Sequence, residues 1–107
     1  MGKQFNDDNF ETEVIEASKT KPVLVDFFAS WCGPCRMQGP IVEEVAAAMG
    51  DKAVVGKLDT ESAQATAIKY GVMSIPNIMI FRNGEVVENI VGVQPKGSLM
   101  AVLEKHM

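Results

Sequence analysis

Apolar and polar positions alternate between two periods along the chain. From Asp8 onward, Phe10, Val14 and Ala17 recur at helical spacing with Ile15 beside them. They predict a first helix that Asp8 opens, with Glu11 three residues on as its capping-box partner. Pro22 then begins Val23-Leu24-Val25-Asp26-Phe27-Phe28-Ala29, a near-continuous apolar run expected of a strand buried on both faces. A second helix is predicted from Pro34 to Met49. Met37, Ile41, Val45 and Ala48 form its inner stripe, Gly50 its stop, and Pro40 a kink inside it. The Glu43-Glu44 pair reads as solvated helix surface.

Further along, Ala53-Val54-Val55-Gly56-Lys57-Leu58 predicts another strand, and Asp59 or Thr60 caps a third helix that ends near Tyr70-Gly71. Asn77–Phe81 and Glu85–Val87 flank Asn83-Gly84, a strong hairpin signal. Pro95 opens a last helix with Leu99, Val102 and Leu103 facing inward, and a weaker strand signal lies around Lys3–Asn6. Strand–helix–strand units need crossovers and therefore parallel pairing, whereas the hairpin adds antiparallel edges. The expectation is an α/β fold, a mixed sheet with helices on both faces. No linker, repeat or low-complexity tract divides residues 1–107, so a single domain is expected.

Composition narrows the function. Hydrophobic residues are 47% of 107, enough for a core, and charged residues are 22%, too balanced for a disordered chain. Ten basic against 14 acidic side chains leave a net charge of −4. That sign argues against nucleic acid and against an anionic membrane surface. The first residues contain no apolar leader, Asn6 stands where a myristoylation signal needs Ser or Thr, and no apolar run approaches a membrane span. The expected address is the cytoplasm.

The chemistry centres on Cys32 and Cys35, a C-x-x-C pair. A disulfide closing so short a loop stabilises by only roughly 2 kcal/mol in chain-entropy terms, so the spacing suggests reaction more than reinforcement. A thiolate is the attacking species in disulfide exchange, and the nucleophile needs a lowered pKa. Cys32 stands at a helix start, where free N–H groups and the positive dipole end favour an anion. Pro34 suits the first turn because it has no donor to leave unpaired. Cys35 falls within that turn and is expected to be the more buried of the two. Cys32 is then the attacking thiol and Cys35 the resolving one. Zinc or an iron–sulfur cluster would want further ligands, and His106 is the only histidine. No dinucleotide-binding glycine motif occurs.

Trp31-Cys32-Gly33-Pro34-Cys35, with Asp26 in Val25-Asp26-Phe27 and with Pro40, Lys57, Ile75-Pro76, Gly84 and Gly92, resembles the thioredoxin family over nearly the whole chain. The resemblance implies the thioredoxin fold, with a central five-stranded sheet. It implies a general protein-disulfide reductase with no bound cofactor beyond a redox-active Cys32–Cys35 disulfide. The implied partners are a thioredoxin reductase and disulfide-containing proteins, and a monomer is expected. Thioredoxins are themselves a reference case for C-x-x-C acidity, so the direction of that effect is implied by the resemblance.

Asp26 in an apolar strand is either a desolvated acid with a raised pKa or a carboxylate at a bend that reaches water. The resemblance favours the acid, moving a proton to or from Cys35. Lys57 by itself reads as a lysine whose stem lies on the sheet while its head reaches water. The resemblance instead pairs it with Asp26. It also implies a cis Ile75-Pro76 bond facing the disulfide, and a Ser74-Ile75 backbone able to pair with an extended substrate segment. Trp31, Val72, Ile75, Pro76, Val91 and Gly92 would make an apolar docking surface, unless Val72 and Val91 belong to the core. Gln38, Gly39 and Asn77 depart from the family pattern, and Phe28 replaces a second tryptophan. Gly39 is expected to weaken the helix by about 0.5–1 kcal/mol.

Two further readings stand beside the reductase. An oxidase or isomerase is disfavoured by Gly33-Pro34 between the cysteines, where oxidants of the superfamily tend to carry histidine. A redox-independent scaffold, binding a larger enzyme through the surface around Cys32, would survive Cys32→Ser.

Overall fold

A computed structural model describes residues 2–107. Five strands form one sheet: β1 (Lys3–Phe5), β2 (Val23–Phe28), β3 (Val54–Asp59), β4 (Asn77–Arg82) and β5 (Glu85–Val91). Their order is β1-β3-β2-β4-β5. β3 runs parallel to both β1 and β2, while β4 is antiparallel to β2 and β5. The expected mixed sheet follows, with β2 at its centre.

Alternation along the strands sends successive side chains to opposite faces. Leu24, Val55, Ile78 and Ile80 pack with Val42, Val45 and Met49 of α1 (Gly33–Met49) and with Leu99 and Leu103 of α3 (Lys96–Lys105). Val23, Val25, Phe27, Leu58, Met79 and Phe81 pack on the other face with Phe5, Phe10 and Val14. Phe10, Tyr70 and Phe81 form an aromatic cluster there, with ring centroids 5.3 to 5.6 Å apart. By the same parity Asp26 falls on the face of Leu24, and Lys57 on that of Val55. Both therefore lie on the sheet face that α1 covers.

Asp8 and Glu11 do not form the capping box; it lies earlier, across the turn at residues 7–9. Asn6 and Asn9 form the reciprocal box, each side chain accepting the other's backbone N–H at 2.8 Å. The segment then winds as a π-helix over Glu11–Glu16 and a 3₁₀ turn over Ala17–Lys19. Asn carries the same short acceptor as Asp, so sequence alone did not separate the two capping residues. The α1 stripe is also rotated from the expected one. Gln38, Val42, Val45 and Met49 are buried, whereas Met37 and Ala48 are exposed and Ile41 is half-buried. The polar Gln38 interrupts the apolar period and disguised the true inner face. The helix runs unbroken through Gly39 and Pro40.

Asp59 and Thr60 do not cap α2 (Gln64–Lys69). Its backbone is met instead by Asp7, which accepts the Thr66 N–H at 2.9 Å and the Thr66 hydroxyl at 2.6 Å. These bonds hold the Asp7 carboxyl below its ordinary pKa. The β4–β5 turn has positive φ at both Asn83 (57°) and Gly84 (80°), as a two-residue hairpin of this twist requires. Among the described residues no helix is long and apolar enough to cross a membrane.

Candidate functional site

β2 ends at Phe28, and the chain turns through Trp31 into α1. Cys32 is the N-cap of α1, with extended backbone (φ −85°, ψ 116°), and Pro34 lies in the first turn. The Cys32 Sγ accepts the backbone N–H of Cys35 at 3.2 Å, the contact a thiolate would use at a helix start. Cys32 and Cys35 form a disulfide, with Cα atoms 5.2 Å apart. The expected difference in burial is not found, since Cys32 is 4% and Cys35 5% exposed. Ile75, Phe28 and Ala29 pack around the pair and cover both.

What separates the two sulfurs is the surface each faces. Cys32 meets the segment expected to dock substrate: its Sγ lies 3.8 Å from the Ile75 carbonyl oxygen, and the Ile75-Pro76 bond is cis. Gly92 donates its N–H to the Pro76 carbonyl at 2.9 Å, which joins these two segments. Ser74 is exposed beside them. Trp31 is 64% exposed, and its indole N–H donates to Glu61 Oε2 at 2.8 Å. Gly33 and Pro34 complete the exposed turn. Val91 is exposed at the end of β5. Val72 is half-buried against the aromatic core, so it belongs more to packing than to a docking face.

Cys35 lines a cleft of about 370 Å³ between the sheet and α1, together with Asp26, Gly39, Glu43 and Lys57. Asp26 is fully buried, and neither carboxylate oxygen has a hydrogen-bond partner among the described residues. Burial pushes its pKa up to about 7, against the opposing pull of the Lys57 ammonium. The reading of Asp26 as a carboxylate that reaches water is therefore set aside. Lys57 pairs with Asp26 in the strand register, yet its Nζ makes an ion pair with Glu43, 3.7 Å from Oε2. Lys57 thus acts on Asp26 through its field, and Glu43 is not free solvated surface.

Three contacts escaped the sequence. Glu61 reaches Trp31 from 30 positions away, a pairing that no local spacing signals. Gln38 is fully buried and clips a distant backbone: its Nε2 donates to the Gln94 carbonyl at 3.1 Å, and its Oε1 accepts the Gln94 N–H at 2.7 Å. A glutamine three residues beyond Cys35, on the inner face, was the available signal. Asn77, also buried, donates to Asn89 Oδ1 at 2.7 Å and to the Ile90 carbonyl at 3.1 Å. His106 is remote from the cysteines and lies 2.8 Å from Glu88 Oε2.

The family model described as Thioredoxin matches residues 2–105. Thioredoxin 1 of Synechococcus elongatus is 46% identical over 101 residues, covering 94% of this chain and 92% of that protein. The thioredoxin of Bacillus subtilis is 46% identical over 101 residues, covering 94% and 93%. The chloroplastic M-type thioredoxin of Chlamydomonas reinhardtii is 45% identical over 102 residues, covering 95% of this chain and 71% of that protein. A family match over residues 2–105 and relatives 46% identical along 94% of the chain, with a disulfide-bonded cysteine pair at the start of α1, make the chain a member of the thioredoxin family of thiol-disulfide oxidoreductases.

Proposed function

We propose the following division of labour for protein-disulfide reduction by dithiol–disulfide exchange, the chemistry of this family. The Cys32 thiolate attacks one sulfur of a substrate disulfide, forming a mixed disulfide and releasing the other sulfur as a thiolate. Cys35 then gives its proton to Asp26 and attacks Cys32 Sγ. The second substrate thiol leaves, and the Cys32–Cys35 disulfide remains. Two electrons have passed to the substrate, and a thioredoxin reductase restores the dithiol.

The observation that carries this assignment is the different surroundings of the two cysteines. Cys32 Sγ approaches the Ile75 carbonyl, in a rim assigned to Trp31, Ser74, Ile75, Pro76 and Gly92, whereas Cys35 lines a cleft with Asp26. An acid that titrates near 7 is suited to accept a proton at neutral pH and return it later. Lys57 moderates its charge, and Gly33 and Pro34 shape the turn that presents Cys32. The Ser74-Ile75 backbone offers an edge for an extended substrate segment.

The substrates are proteins with accessible disulfides. The chain acts as a single domain and a monomer, because the rim must stay open, and no bound cofactor takes part in these steps. The proposed compartment is the cytoplasm, where a dithiol is kept reduced. The chloroplast address in the name of the Chlamydomonas relative belongs to that protein.

The test is multiple-turnover reduction of a disulfide-bonded protein driven by a small dithiol, with Cys32→Ser beside it. Turnover well above the dithiol alone, lost in the variant, is expected. Equal rates with and without the protein would defeat the assignment.

A further inference from the structure

The cleft behind the disulfide holds one acid that the mechanism uses and one that it does not. Its titratable or charged lining consists of Asp26 from β2, Lys57 from β3, and Cys35, Arg36 and Glu43 from α1. β4, on the other side of β2, sets the apolar Ile78 opposite Asp26. Two carboxylates therefore compete for the Lys57 ammonium.

The geometry of that competition is one-sided. Glu43 is held at both oxygens. Its Oε1 accepts the Gly2 backbone N–H at 2.8 Å, and its Oε2 lies 3.7 Å from Lys57 Nζ. Asp26, beside Lys57 in the strand register, has no hydrogen-bond partner on either oxygen among the described residues. The Glu43 and Lys57 side chains are part-exposed, at 37% and 27%, while Asp26 is at 0%, so the ion pair sits on the solvent side of the cleft.

We propose that Glu43 is a positioning residue: anchored by the Gly2 backbone, it holds the Lys57 ammonium toward solvent and keeps it from bonding to Asp26. Its consequence for the resolving step rests on the role given to Asp26 above, but the electrostatic linkage does not. Replacing Glu43 by Gln removes a negative charge near Asp26 and releases the ammonium. Both changes favour the ionised Asp26, so they add in sign.

The experiment follows the Asp26 carboxyl carbon by NMR through a pH titration of the oxidised full chain. Four proteins are compared: the parent, Glu43→Gln, Lys57→Met and the double variant. Glu43→Gln should lower the Asp26 midpoint by about one pH unit. In the Lys57→Met background the same substitution should move it by less than half as much. No downward move with Lys57 present, or an equal move without it, overturns the proposal. Mixed-disulfide resolution measured across pH should follow the titration in Glu43→Gln. A titration that moves while the kinetic profile stays fixed upholds the Glu43–Lys57 linkage and instead defeats the proton role of Asp26.

Discussion

Asp26→Asn should stabilise the oxidised protein progressively as pH rises. The buried carboxyl titrates near 7 in the folded chain and at 3.8 in the absence of the fold, chiefly because burial penalises its charge. The folded state thus holds the proton more tightly than the unfolded state. Stability from this group is complete below the unfolded value and is lost as pH climbs from about 4 through 7. A gap of about three pH units at about 1.4 kcal/mol per unit makes the loss about 4 kcal/mol. Asparagine keeps the volume and never ionises, so the variant escapes that loss. Its buried amide adds a cost of about 1–3 kcal/mol that is the same at every pH. The readout is therefore the pH dependence of the difference between the two proteins, in which contributions from Asp7 and Glu88 cancel. Denaturant unfolding of both at pH 4, 5.5, 7 and 8.5, with matching m-values, should show the difference shifting toward the variant by about 4 kcal/mol. A difference that stays constant would refute the desolvated-acid account.

Other perturbations test separate parts of the structure. Cys35→Ser should stop the cycle after the first attack and accumulate a covalent complex with a disulfide protein, visible on a non-reducing gel. Gln38→Met keeps the bulk but leaves the Gln94 N–H and carbonyl without their partner, at a cost of about 1–3 kcal/mol. Because Gln94 closely follows Gly92 of the proposed docking rim, KM for a protein disulfide should rise more than kcat falls. Gly56→Ala would place a methyl 2.6 Å from the Lys3 carbonyl oxygen and from the Phe5 ring. The overpacking should cost about 1–3 kcal/mol, read as a lower Tm with the β1–β3 pairing loosened.

Much of the fold was legible because its signals are local. The apolar run of β2, the Asn83-Gly84 hairpin and the α3 face of Leu99 and Leu103 each depend on residues close in sequence. The cysteine pair was legible for the same reason, with Cys32 and Pro34 at the start of a helix. Misplaced features had partners far along the chain. Gln38 reads in the sequence only as a departure from the family pattern, because its partner, Gln94, is 56 positions away. At the start of α2 local spacing points to Asp59 or Thr60 as the cap, whereas Asp7 meets it from 59 positions away. Glu43 looked like surface because its contacts come from Gly2 and Lys57, on different elements.

By itself the sequence determined the periods of the elements, the α/β class and the thiol pair, since backbone propensity, alternation and helix-start chemistry act over a few residues. Tertiary structure alone decided the state of the acid behind that pair. Whether Asp26 meets water or is sealed, and whether Lys57 bonds to it or to Glu43, depends on what α1 lays over β2 and β3. Desolvation and charge pairing are set by distance through space, and separation along the chain does not encode that distance.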